Sequence, residues 1–418
     1  MALIRWEGKA PAVAQVDTGS VDTFDAATTY TVTIGGQSVS VLGDTDVATT
    51  AGNLVTALEA SEIPYFSTVA WANPSGGTIT GTANVPGFPF SATLSTTGGT
   101  GTVTDFSNTT ANAGPLVWND ANNWIGGVLP GAADDVVIED ASGDIWFGLD
   151  QITDALGIVQ VIRTFTGKIG LNRLAFATAV AAADDEYPEY RADYLEITAD
   201  EIDLGQQTGP GTPAGSNRIK VNNVKAGASV LRVYGTAPSS SEAGLPAIRY
   251  RANDAAADVI VLEAPGGFGI GKDFTGETAT VGDIDMRSES SSDRVFVGPG
   301  VTYTTYKQDG GQNQIDAAAT VTSVRATGGT LLISGNFQIT TLTNDGAEIT
   351  DDHINGGGDA VVTGNLNTGT LDLSVSGDAR TYTTLNQEVG STLVRDPAVV
   401  TITTFNLPAD DIFTLELT

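Results

Sequence analysis

The groups in this chain that could do chemistry are mostly carboxylates. Fifty Asp and Glu stand against nineteen Lys and Arg, a single histidine and no cysteine. One histidine, His353 in TDDHINGGGD, excludes a His-based nucleophile triad and a multi-His metal site, and it reads as a loop residue beside Asp351 and Asp352. The missing cysteines exclude disulfides and thiolate metal sites. Carboxylates cluster at Asp134-Asp135, Asp184-Asp185-Glu186, Asp200-Glu201-Asp203 and Asp351-Asp352. Such pairs run glycoside hydrolysis when held ~5–10 Å apart, but in so acidic a chain adjacent pairs arise from composition alone. The spaced Asp-x-Asp-x-Asp-Gly pattern of a calcium loop is absent. GGFGIGKDFTG (266–276) has the look of a phosphate loop, yet Asp273 stands where Ser or Thr must follow Lys272, and no helix follows. No catalytic residue, cofactor or metal is assigned. YPEYRADYLEI brings together Tyr187, Tyr190, Arg191 and Tyr194, a bracing loop and the best surface-contact candidate of the second half.

The formal net charge of −31 argues against nucleic acid and anionic membrane surfaces as partners, since a phosphate backbone would be repelled. It gives a well-solvated surface or one that meets a basic partner. Arg5 and Lys9 are the only cations before Arg163. With Trp6 they make an aromatic-plus-cation group of the kind that anchors interfaces, and they are the expected contact to a larger particle. Removing residues 1–12 is expected to leave the fold intact. No apolar run approaches the ~18 residues of a membrane span. The first residues, broken by Trp6-Glu7, do not read as a secretory signal, so synthesis in a cytoplasm is expected.

Glycine turns and β-branched residues point to many short strands. Residues 1–15 read as an arm. Residues 16–112 read as a small β-rich α+β or sandwich-like module with one helix. TYTVTIGGQSVSV alternates about Gly35-Gly36 as a hairpin, and Val47, Ala51, Leu54 and Leu58 recur at helical spacing behind Asp46 as N-cap. The stretch 96–115 reads as a low-complexity exit at a boundary.

Beyond it, residues 113–195 form a Trp-rich cap and first rungs, and 196–418 a repeat. Five four-residue units, apolar-Thr-Thr/Ser-apolar, begin at Tyr303, Val321, Ile339, Tyr382 and Ile402, with successive starts 18, 18, 43 and 20 residues apart. A degenerate copy at Val362 divides the long interval, and weaker copies begin at Val281 and Val259. A strand-and-turn beat near 20 residues without helices predicts a parallel β-helix of roughly ten rungs, about 4.8 Å apart. The flanking apolar residues should fill its interior, with the Thr pairs outside. An open first rung is an unpaired sheet edge, so something must cover it. Trp118, Trp124 and Trp146, in WNDANNWIGGVLPGAADDVVIED and DIWFGLD, are expected to cap the column and dock the front module.

The order of segments carries a resemblance. IRWEGKAPAVAQVDT, the YTVTIGGQSVSV module, the Trp segment, LGIVQVIRTFTGKIGL, YPEYRADYLEI and the rungs together resemble a group of uncharacterised virion structural proteins of tailed bacteriophages. The resemblance covers most of the chain. It implies a non-enzymatic virion structural protein, a capsid-surface decoration or fibre-like component made in the host cytoplasm without a signal. Its implied partners are other virion proteins, the capsid above all, further copies of itself (a trimer favoured) and host surface glycans. A receptor-binding tailspike or polysaccharide depolymerase is the alternative, and a bacterial surface adhesin a third reading.

Overall fold

The computed structural model describes residues 2–139, 143–170, 194–206, 218–238, 246–271, 277–352, 360–375 and 379–408, and the backbone of Glu416–Leu417. The protein is mainly β, and most of its strands belong to one large parallel sheet. Pairing in that sheet mostly skips one or two strands in sequence, and consecutive strands pair where one long strand serves both ladders, as Ile339–Asp351 does with Thr330–Ile333. This is compatible with a chain that coils back onto itself. Two long ladders result. In one, Val136, Val159, Ile202, Leu231 and Val259 lie directly beside one another. The same ladder runs on through Ile284, Tyr306, Val324, Leu342, Gly364, Leu385 and Phe405. In the other, Val221, Tyr250, Ile270 and Val297 align, and further on Ile315, Ile333 and Asp351. Apart from Gly364, Asp351 and the partly buried Phe405, the aligned side chains are buried in one continuous apolar cluster.

The repeat units fall into this register. Tyr306, Val324, Leu342, Leu385 and Phe405 are all fourth positions and all stack. Ile339, Leu342 and Leu385 are buried, Ile402 and Phe405 partly so, while Thr340 and Thr341 face outward. Two copies shift. The degenerate one begins at Val361, which pairs with both Ile339 and Tyr382, one residue earlier than the pattern suggests. Its fourth position is Gly364, where an added Cβ would come within 2.9 Å of the Leu385 side chain. The bulky Tyr382 and Leu385 above it leave no room for the usual apolar residue. Val259 opens no unit: it aligns with Ile284, a fourth position.

The front of the chain folds differently. Val69–Ala72, Thr78–Ala83, Val16–Thr23 and Thr102–Thr110 form a four-stranded antiparallel sheet in that order, and Gln37–Leu42, Thr29–Ile34 and Ala92–Thr97 a three-stranded one. The hairpin turns at Gly35 (φ 59°) and Gly36 (φ 75°), positive values that a two-residue loop requires. Helix Val47–Glu59 starts where Thr49 N–H donates to Asp46 Oδ1 at 2.8 Å. It packs Ala51, Leu54 and Leu58 into a second apolar cluster with Tyr30, Val32 and Ile34. The stretch read as a low-complexity exit is an edge strand instead. Thr-rich and largely exposed, Thr102–Thr110 is held by its ladder to Val16–Thr23 and by side-chain bonds such as Asn108 Nδ2 to Asp17 Oδ1 at 2.8 Å, which its lack of apolar residues did not reveal.

Candidate functional site

The best-defined functional candidate is the end of the parallel sheet nearest the N-terminus. Leu3–Arg5 is no free arm: it pairs in parallel with Asp135–Ile138, placing Ile4 beside Val136. Trp6 follows, with its N–H donating to Val137 O at 3.0 Å and its backbone bridging Trp124. Its ring stacks on Trp118 (6.2 Å, 19°) and meets Trp124 edge-on (5.0 Å, 80°), while Trp118 and Trp124 meet at 4.8 Å and 81°. Edge-to-face contacts set the positive rim of one ring against the negative face of another. Trp118 and Trp124 are essentially unexposed, and both indole N–H groups are used: Trp124 Nε1 donates to Trp118 O at 2.8 Å, and Trp118 Nε1 to Gln151 Oε1 at 3.2 Å. Asn123 ties the parts together. Its amide donates to Gly114 O and Val117 O, both at 2.8 Å, and its carbonyl accepts from Ala10 N at 2.8 Å.

The three expected anchoring residues thus separate. Trp6 is buried in the cap. Arg5 is ion-paired with Glu139, and exposed Lys9 with Glu7 at 3.0 Å. Instead, Leu3 (54% exposed), Ile125 (51%) and Val128 (60%) present apolar surface, and Ile125 N–H donates to Arg5 O at 2.9 Å, which joins their segments. Trp146 lies on the other side of the cap and packs against the front unit, with Phe88 and Phe147 at 6.1 and 6.3 Å.

Of the YPEYRADYLEI group, Tyr187, Tyr190 and Arg191 lie outside the described residues. Tyr194 is buried in a charged cluster contributed by several strands. Its hydroxyl donates to Glu277 Oε1 at 2.7 Å, Arg251 lies 4.0 Å above its ring and pairs with the same Glu277, and Lys220 Nζ stands 5.4 Å from the ring. Next to it Asn222 Nδ2 donates to Glu196 Oε2 at 2.6 Å, and burial raises the Glu196 carboxyl above its usual range despite that bond. Tyr194 and Glu196 share the YPEYRADYLEI stretch, but Lys220, Asn222, Arg251 and Glu277 come from separate later stretches, so no local motif marks the cluster as a whole, and Tyr194 is buried rather than a surface contact.

The acidic clusters serve mainly local contacts. Asp134 accepts from Ala2 N and Gly131 N, bonds that hold its carboxyl below the usual range. Asp135 accepts from Ile158 N. Asp200 pairs with Lys225, and Glu201 and Asp203 with Arg232; burial raises Asp203. The 184–186 cluster and His353 fall outside the described residues. Asp351 is not in a loop. It ends the strand Ile339–Asp351 with no exposed surface, accepts from the Tyr382 hydroxyl, and lies 3.9 Å from the equally buried Arg380, whose Nη2 donates to Leu373 O at 2.7 Å. Burial, with the Asp351 charge beside it, pushes the Tyr382 hydroxyl far above its usual range.

A shallow groove of about 670 Å³ lies where three successive strands end. Asp316, Ser334 and Asp352 each follow one of the stacked residues Ile315, Ile333 and Asp351, so the two flanking carboxylates are two strands apart. At ~4.8 Å per strand that separation is ~10 Å. Among the described residues no three His, Cys, Asp or Glu converge closely enough to hold a metal ion.

No protein-family model matches the chain, and no curated protein matches it significantly. The bacteriophage likeness therefore rests on the order of sequence motifs. Among the described residues no helix is long and apolar enough to cross a membrane.

Proposed function

We propose that this chain is a non-enzymatic structural protein of a tailed-bacteriophage virion, a capsid-surface decoration or fibre-like component. In this reading the parallel sheet is a β-solenoid of roughly ten rungs, on the order of 50 Å long. The antiparallel front is a small module docked at its base. The observation that supports the reading is the ladder of aligned positions from Ile4 to Phe405, whose side chains from Val136 to Leu385 are buried apart from Gly364, which has none. Such a column resists bending because each strand is bonded on both sides. It suits a projecting part, and its capped end suits attachment. The contact surface then draws on exposed Leu3, Ile125, Val128 and Lys9, while Trp6 acts by building the cap. Mass spectrometry and immunogold microscopy of density-banded particles test the reading. The chain should band with particles and label their outside. Recovery solely from the soluble lysate would refute it.

The alternative reading is a polysaccharide depolymerase working in the groove. Two carboxylates ~10 Å apart lie just beyond the ~6.5–9.5 Å of inverting glycosidases. Release of reducing ends from host polysaccharide, abolished in Asp316→Asn and Asp352→Asn, would put this reading in place of the first.

A further inference from the structure

In a stack of parallel strands each strand ordinarily touches the one before it and the one after it, so the stack opens from an edge one strand at a time. One set of contacts departs from that rule. Val361–Leu373 lies between Ile339–Asp351 and Arg380–Gln387, with Val361 beside both Ile339 and Tyr382. Asp351 ends the first of these strands in line with Ile333, itself in line with Ile315, and it has no exposed surface. Two residues of the third strand reach past the middle one to it. The Tyr382 hydroxyl donates to Asp351 Oδ2, and Arg380 Nη1 stands 3.9 Å from Asp351 Oδ1. Arg380 Nη2 also donates at 2.7 Å to the carbonyl of Leu373, where the middle strand ends. All three side chains are buried.

We propose that Asp351, Arg380 and Tyr382 form a clamp that makes these three strands open as one unit, so that fraying from Val400–Asn406 stops at Arg380–Gln387. Peeling off Arg380–Gln387 alone would strip the Asp351 carboxylate of the Arg380 charge and the Tyr382 hydroxyl, with Val361–Leu373 still laid against its strand. Removing one side of a buried charge pair costs far more than replacing both sides with apolar groups, because the charge left behind keeps its desolvation penalty. Apolar packing carries no such step: it is lost in proportion to the area uncovered. The least costly opening therefore spares all three strands or takes all three. The clamp sits where the fold has most use for it. Tryptophans cover the sheet near the N-terminus, whereas Val400–Asn406, which lies against Arg380–Gln387, has Ile402 and Phe405 only partly buried. The clamp does not depend on the virion reading.

The test is hydrogen exchange of the full chain under native conditions, followed by mass spectrometry of its peptides. In the unmodified protein the amides of 361–373 and 381–387 should exchange at one common rate, about tenfold or more below that of Thr401–Phe405. The double variant Asp351→Leu/Arg380→Met removes both charges together and keeps apolar volume in their place. In it the two stretches should separate, with 381–387 exchanging about tenfold faster than 361–373. Should that variant fail to fold, Tyr382→Phe, which removes a single hydroxyl, should separate them in the same direction by about fivefold. Different rates for the two stretches in the unmodified chain would overturn the clamp, as would a common rate that survives in the variants. So would an acceleration as large at Asp135–Ile138 as at 381–387, because that marks a general loss of stability.

Discussion

The two ends of the parallel sheet are built from opposite materials. At the first, a three-residue strand from the N-terminus lies over Asp135–Ile138, and three of the chain's five tryptophans close the interior behind it. At the other, Val400–Asn406 pairs with Arg380–Gln387, and its apolar residues are only partly covered: Ile402 and Phe405 pack on the core from one side, and Leu407 is 46% exposed. Tyr382 and Leu385, one strand inward, are fully buried. An identical repeat position is thus worth more inside the stack than at its edge. The end nearest the N-terminus combines volume with satisfied backbone groups, and the apolar side chains of Val400–Asn406 are less covered.

The largest effect expected from this contrast lies at the cap. Trp118→Ala should cost about 3–5 kcal/mol, the usual range for deleting a buried aromatic. Phe405→Ala should cost less than half as much, as read by denaturant midpoints. Deleting residues 1–6 should also destabilise strongly, contrary to the expectation that the arm is dispensable for folding. Equal losses at Trp118 and Phe405 would dissolve the distinction between the ends.

The cap and the repeat were legible in the sequence for different reasons. Clustered tryptophans beside tight-turn residues announce bulk at a fixed place, and apolar-Thr-Thr-apolar at near-constant spacing announces stacking. Leu3–Arg5 was illegible as a strand because three residues carry no periodicity and one is charged. Val259 was assigned the wrong phase because the early turns are longer and uneven, so spacing alone could not carry the register back. Asp351 escaped because apolar patterning says nothing of a charge inside the stack, where its partners Arg380 and Tyr382 come from the next strands. The Tyr194 cluster escaped because its members meet only in three dimensions.

Within the stack, position should outweigh distance from either end. Leu342→Asp should destabilise by several kcal/mol by burying an unpaired charge, whereas Thr341→Asp, one residue away and facing out, should stay within about 0.5 kcal/mol. Asp351→Asn, which removes the buried carboxylate 3.9 Å from Arg380 and the acceptor of the Tyr382 hydroxyl, should cost about 3–5 kcal/mol. Thermal melts of the three variants read both claims.

Smaller effects follow from pH. The Asp134 carboxyl is lowered by the N–H groups of Ala2 and Gly131. Its contribution to the capped end is therefore present above the unfolded value of 3.8 and is lost as pH falls through the folded value. Asp134→Asn should flatten that part of the acid limb. Glu196 runs the other way. Burial raises it, so the protonated form is favoured in the fold, and stability falls as pH rises from the unfolded value of 4.5 through the folded one. Glu196→Gln should remove that slope. Acid titrations of stability that match the unmodified chain in both variants would reject these assignments.

Native-state hydrogen exchange tests the central contrast most directly. The amides of Trp6 and Ile125, bonded to Val137 O and Arg5 O, should exchange only with global unfolding, while those of Thr401–Phe405 should exchange faster through fraying of the strand Val400–Asn406. Faster exchange at Trp6 than at Phe405, or equal protection at both, would contradict the account of a parallel sheet held more tightly at its tryptophan-covered strands than at Val400–Asn406.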